Sequence, residues 1–209
     1  MTSPSKSRIS ARKLPKQERS EQLVAAILEA AIQVLTDEGA RRFTTARVAE
    51  RAGVSVGSLY QYFPNKESIL FRLQTDEWRE TSDMIQAILG DISRTPQERL
   101  RHMVTAFIRS ECEEAAVRIA LGDAAPLYRD APEVDEPRTA ATHTLALFMR
   151  EIMPHAGEDQ RMLTADMFKI SLSAVGKRVS EDGRSKESVE AISEAVGDMF
   201  CAYLERINA

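Results

Sequence analysis

Apolar residues recur three and four positions apart along most of the chain, and no stretch alternates with the two-residue period of a strand. The pattern predicts an all-α protein. The first amphipathic stretch covers 20–38, with Leu23, Ile27, Ala30, Ala31, Val34 and Leu35 on one face and Gly39 as a stop. Two short helical segments follow. Thr44 can cap the first, whose inward side is Val48, Ala49 and Ala52. Ser55 can cap the second, with Leu59 inward and Val56, Gly57, Ser58, Tyr60 and Gln61 on its other faces. Gly53 is the turn between them, four residues after Ala49, and the two offer small side chains where helices cross closely. The 20–38 face should pack on Val48, Leu59 and Phe63, with Phe43 closing the corner. Pro64 and Asn65 stop the second segment and cap a longer helix, 66–89, that ends at Gly90.

Thr95-Pro96-Gln97-Glu98 is a capping box with proline at the first helical position. It opens a helix whose apolar face is Leu100, Met103, Val104, Phe107 and Ile108. A short segment, 113–121, ends at Gly122. Residues 123–137 hold three prolines and form the least regular part of the chain. Helical pattern resumes over 138–153, up to Pro154. Two helices finish the chain, 157–180 (Met162, Leu163, Phe168, Leu172, Val175) and 186–207, separated by Gly183. The last carries a heptad-like seam of Val189, Ile192, Val196, Met199, Tyr203 and Leu204. About nine helices are expected. They divide into a flexible basic tail (1–17), a head (18–66) and a larger helical-bundle body (67–209).

Two helices joined by a glycine-containing turn follow the helix-turn-helix plan, whose second helix enters the major groove. The run AERAGVSVGSLYQYFPNKESIL, from Ala49 to Leu70, resembles the DNA-binding segment of the TetR family of bacterial transcriptional regulators. Ser58, Gln61 and Asn65 stand where Thr, His and Ser are frequent in that family. Hydroxyl and capping chemistry survive these departures, and the base read at 61 is left open. The resemblance implies a homodimeric repressor released from double-stranded operator DNA by a small-molecule effector. It also implies that helix 66–89 joins the head to an effector-binding body. Two rivals are an effector-independent dimeric DNA-binding protein and an all-α enzyme.

Charge sharpens this reading. The 209 residues carry a net charge of −4, unevenly placed. Residues 1–66 hold 11 Lys/Arg against 6 Asp/Glu, and the remainder 17 against 26. A basic head on an acidic body suits a head that meets phosphates. Phosphate contacts are expected from Thr44, Thr45, Tyr62 and Lys66, the last beside a helix N-terminus. Base-edge contacts are expected from the segment that Ser55 opens: Val56, Gly57, Ser58, Tyr60 and Gln61. The Gln61 amide suits adenine, Gly57 allows close backbone approach, and Arg47 can reach a base or a phosphate. The basic tail is either a loose terminus or an arm along the DNA.

In the body, Trp78, His102, Met103, Phe107, Tyr128, His143 and Phe168 are the candidates for effector contact, although Met and aromatic stripes are more often core. An interior rich in Met and Phe with few ionisable groups points to an apolar or amphipathic effector. Val189, Ile192, Val196, Met199 and Tyr203 are the candidate dimer contacts.

Other chemistries find little support. Gly53–Gly57 matches GxSxG, but a nucleophile elbow needs a preceding strand and here a helical pattern precedes it. His102 and His155 pair at i, i+4 with Glu98 and Glu151, a spacing read as polar contact rather than metal ligation. No catalytic set, metal site, cofactor motif, secretory signal or membrane span is expected, which suggests a cytoplasmic protein. Cys112 and Cys201 are read as free thiols.

Overall fold

The helical periodicity becomes nine α-helices and one 3-10 turn among the residues that the computed structural model describes, 16–127 and 135–208, with side chains over 18–127 and 143–208. The head is built from α1 (Lys16–Glu38), α2 (Thr45–Arg51), α3 (Val56–Tyr60) and the first turns of α4 (Lys66–Leu89). Its core joins Ile27, Ala31, Val34 and Leu35 of α1 to Phe43, Val48, Leu59 and Phe63, as the pattern predicted, and continues into Ile69, Leu70 and Leu73 of α4. One contributor was not anticipated. Helix α6 (Ala115–Ala124) lays Leu121 and Ala124 into the same core, with Val117 and Ala120 packed against it. The helix runs through Gly122 and on into the 3-10 turn Ala125–Leu127, rather than stopping at the glycine. A glycine inside a helix costs only about 1 kcal/mol, which this burial offsets.

The body is arranged around α5 (Pro96–Glu113), which touches α4, α7 (Asp135–Ile152), α8 (Glu158–Glu181) and α9 (Lys186–Asn208). The capping box that opens α5 forms as read: the Thr95 hydroxyl accepts from the Glu98 amide at 3.3 Å, and Glu98 accepts from the Thr95 amide at 2.8 Å. These bonds hold the Glu98 carboxyl below its usual range and give it Thr95, not His102, as partner. Glu151 is likewise taken by the buried Arg99, which also donates to the last carbonyl of α4, Leu89 O, and lies over the Phe148 ring. Arg99 thereby pins α4, α5 and α7 together.

Both C-terminal helices approach α5 closely at glycines. A Cβ at Gly176 of α8 would lie 2.9 Å from Glu111 Cγ, and one at Gly197 of α9 would lie 3.3 Å from Arg101 Cγ. Between α8 and α9, Phe168 and Phe200 stack with ring centroids 3.9 Å apart. This geometry splits the predicted α9 seam. Val189, Val196 and Leu204 are buried in the chain's own core with Phe200, whereas Met199 is 52% exposed. At 3.6 residues per turn, Val189 and Val196 lie between the Gly197 face that meets α5 and the flank that carries Ile192, Met199 and Tyr203, and so fall inside the core.

Both cysteines are free, Cys201 buried and Cys112 half-buried, and burial raises both thiols. Among the described residues no helix is long and apolar enough to cross a membrane.

Candidate nucleic-acid interface and body cavity

Three side-chain caps shape the head. Thr44 accepts from the Arg47 amide at 3.3 Å and starts α2; Ser55 accepts from the Ser58 amide at 3.0 Å and starts α3. Asn65 accepts from the Ser68 amide at 2.8 Å and starts α4, with Ser68 closing a reciprocal box. Such caps are each worth about 1 kcal/mol. Gly53 between α2 and α3 has φ +67°, a left-handed conformation that disfavours any side chain. Nothing lies within 4 Å of its missing Cβ, so its smallness serves the backbone turn and not the close helix crossing expected from the sequence.

The caps leave α3 projecting. Leu59 is fully buried beneath it, while Val56, Gly57, Tyr60 and Gln61 are exposed and Ser58 is partly so. A Cβ at Gly57 would meet only the Ser55 hydroxyl, 3.8 Å away, so the backbone is open to a close approach from outside. Gln61 lies one residue past α3, as its C-cap. The Ser55 and Ser58 hydroxyls bond each other at 2.8 Å. Thr45 and Tyr60 meet at 3.1 Å, tying the start of α2 to the end of α3. Tyr62 is half-buried and its hydroxyl accepts from Ser20 at 3.1 Å, which anchors it to α1. Arg47 is ion-paired with Glu38. Lys66 begins α4, where the first-turn amides have no intrahelical acceptor, and no ion pair engages it among the described residues. Of the residues expected to touch DNA, the head thus joins Thr45 to Tyr60 and Ser55 to Ser58 and leaves Val56, Gly57, Tyr60 and Gln61 exposed.

In the body a cavity of about 550 Å³ opens between α4, α5, α6, α7 and α8. Of the candidate effector contacts, Trp78, Met103, Phe107 and Phe168 line it. His102 and His143 are exposed and away from it, because they fall off the inward faces of α5 and α7. Tyr128 lies outside the described residues. The wall is largely apolar, with Ile85, Leu145, Met149 and Leu172 beside the aromatics, but it is not poor in ionisable groups as the composition suggested. At one end Arg118 of α6 donates through Nη1 to Glu77 at 2.7 Å and to Glu111 at 2.6 Å. Through Nη2 it reaches Glu114 at 2.9 Å and Thr81 at 3.2 Å. Arg118, Glu77 and Glu111 have side chains only 12–15% exposed. Burial raises the carboxyls of Glu77 and Glu111, and the Arg118 charge only partly opposes this. Sequence reading missed this cluster. The available signal was Arg118 itself, a lone charge within the apolar run of α6.

Residues 27–73 match the family described as bacterial regulatory proteins, tetR family, and residues 95–207 match a tetracyclin repressor-like C-terminal domain. An uncharacterised HTH-type transcriptional regulator of Mycobacterium tuberculosis is 26% identical over 192 residues, spanning 91% of this chain and 81% of that protein. The nucleoid occlusion factor SlmA of Vibrio campbellii is 38% identical over 102 residues, 47% of this chain and 50% of its own. Among solved structures, the fatty acid degradation regulator FadR of Bacillus halodurans superposes with a TM-score of 0.70 at 21% identity, covering 91% of this chain and 96% of that one. FadR of Bacillus subtilis in complex with stearoyl-CoA gives 0.68 at 18% identity, covering 84% and 96%. At those identities the structural likeness speaks for the fold alone.

Proposed function

The chain belongs to the TetR family of bacterial transcriptional regulators and is a DNA-binding regulator, and from that premise we propose that it is a homodimeric repressor, released from its operator by a small molecule held in the body cavity. The observation that carries this reading is the double role of α6. That helix supplies Leu121 and Ala124 to the head's core, and its adjoining flank presents Arg118 to the cavity. A ligand that shifts Arg118 therefore acts on a helix on which the head rests. α4 makes a second link, with Leu70 and Leu73 in the head and Trp78 in the cavity wall. To turn a 99:1 population into 1:99, the ligand must favour the released conformation by about 5.5 kcal/mol.

On the DNA side, Val56, Gly57, Ser58, Tyr60 and Gln61 read base edges, and Thr44, Thr45, Lys66 and the adjoining α4 amides hold phosphate. Arg47 joins them by exchanging Glu38 for a phosphate. Tyr62 acts through its ring or by releasing Ser20.

The dimer forms through the flank shared by α8 and α9. Leu163, Ile170 and Met199 are 61%, 68% and 52% exposed there, and Ile192 and Tyr203 border them. Leu163 and Tyr203 line one shallow groove, which puts the two helices' apolar strips side by side.

The reading is tested by titrating candidate ligands while following both the emission of Trp78, the sole tryptophan, and operator affinity. An effector lowers operator affinity, and operator DNA lowers its affinity by the same factor. If cavity ligands leave operator affinity unchanged, the body only dimerises and release by effector is excluded.

A further inference from the structure

We infer that the ligand this cavity suits is an amphipathic cation: an apolar tail against Met103, Phe107 and Phe168, and a positive head at the carboxylates of Glu77 and Glu111. The inference rests on the cavity being the effector site and adds the chemical class of the effector.

Three carboxylates, Glu77, Glu111 and Glu114, meet one guanidinium, and two of them share the single nitrogen Nη1. Arg118 Nε also points to Glu114, so every nitrogen of the guanidinium is already directed at a carboxylate. An anionic head would bring a further negative charge to a set whose guanidinium, the one cation it holds among the described residues, is already engaged. A positive head brings the charge that the set lacks, and the wall beside it is aromatic at Phe107, a ring type that attracts cations.

The other charges on the wall do not reverse this balance. Among the described residues they come from α8, where Arg161 is occupied by the Met153 and Pro154 carbonyls and by Glu158. Asp166 and Lys169 are exposed and of opposite sign. From the described side chains of α7 the wall receives Leu145, Ala146 and Met149. Burial also raises the carboxyls of Glu77 and Glu111, which is how acids behave when compensating charge is short.

The test uses the full-length protein and three probes with one tail length: decyltrimethylammonium, decanol and decanoate, each below micellar concentration. Trp78 emission and melting temperature report binding. The cation is expected to bind about tenfold more tightly than the alcohol, and decanoate more weakly than either. Glu111→Gln should remove most of that preference while leaving decanol binding intact, and Glu77→Gln is the second variant. Acidification should weaken the cation and leave decanol unaffected, because Glu77 and Glu111 lose charge together. This pH dependence tests the proposal on the unaltered protein should a variant fail to fold. Equal or tighter binding of decanoate overturns the inference. So does an unchanged cation affinity in both variants, or no binding of any probe. If the cation binds as expected but operator affinity does not change, the ligand class stands and release by effector fails.

Discussion

Arg118 sits among more negative charge than it can neutralise, so its loss and the loss of one of its partners should act in opposite directions. Arg118→Met strands three acids around a cavity, and breaking a buried pair in this way costs about 3–5 kcal/mol, readable as a lowered urea midpoint. Glu111→Gln should instead stabilise the ligand-free protein at neutral pH. The folded values of Glu77 and Glu111 lie above 4.5. Their favourable contribution is therefore complete below that pH and is lost as pH rises through the raised values, because the unfolded chain gives up these protons first. The gain from Glu111→Gln should accordingly grow as pH rises above 4.5 through the raised value; a gain independent of pH would show that Glu111 does not titrate there. On the DNA face, Lys66→Ala should weaken binding to all sequences and flatten the salt dependence by about one unit of slope. Gln61→Ala should relax preference at one base position at a cost of ~1–3 kcal/mol, measured against single-base operator variants. Lys66 and Gln61 could be put forward from the sequence because they stand in a contiguous motif. Glu77, Glu111 and Arg118 were not, since Glu77 comes from α4, far back in the chain, and meets the other two only where α5 gives way to α6.

The helices were legible wherever their ends carry local chemistry. Thr44, Ser55, Asn65 and Thr95 all cap as their side chains suggested, because a cap needs only residues three positions away. What one helix presents to another was harder to read. A seam of three- and four-residue spacing looks the same whether it packs within a chain or between chains, so Val196 and Met199 could not be told apart until α5 was in position. The glycines divide in the same manner. Gly53→Ala should cost about 1 kcal/mol through its positive φ alone, lowering the head's stability without altering any contact. Gly176→Ala should cost about 1–3 kcal/mol for a different reason: its new methyl group presses on Glu111 and on Phe107, whose Cε1 would be 3.1 Å away. Both are measured by denaturant midpoint, and Gly176→Ala should in addition lower the affinity of any cavity ligand.

At the scale of the molecule, one recognition helix reads too few base pairs to mark a genomic site. Two heads about a two-fold axis require half-sites ~34–36 Å apart or a multiple of that. The choice of dimer probe follows from the split seam. Val196→Glu would place charge in the chain's own core and unfold the protomer, so it says nothing about assembly. Ile170→Glu with Met199→Lys changes only exposed positions. The double variant should keep its helical content, sediment as a monomer and lose operator binding. A variant that still sediments as a dimer moves the interface away from α8 and α9.

The entry of α6 into the head's core bears on how such regulators can be recombined. A head cut at residue 66 leaves behind Ile69, Leu70, Leu73, Leu121 and Ala124, five of its own interior residues. Grafted onto the body of a relative, it would sit on a foreign α6 whose side chains were never fitted to Leu35 or Phe43. Exchange of sensory bodies between regulators should therefore succeed only when the junction is moved past Leu73 and the 117–125 face travels with the head. A chimera joined at 66 should melt well below both parents, and restoring Val117, Ala120, Leu121 and Ala124 in the borrowed α6 should recover most of the difference. The transferable unit is then discontinuous in sequence, a reading head together with about two helical turns of the domain that instructs it.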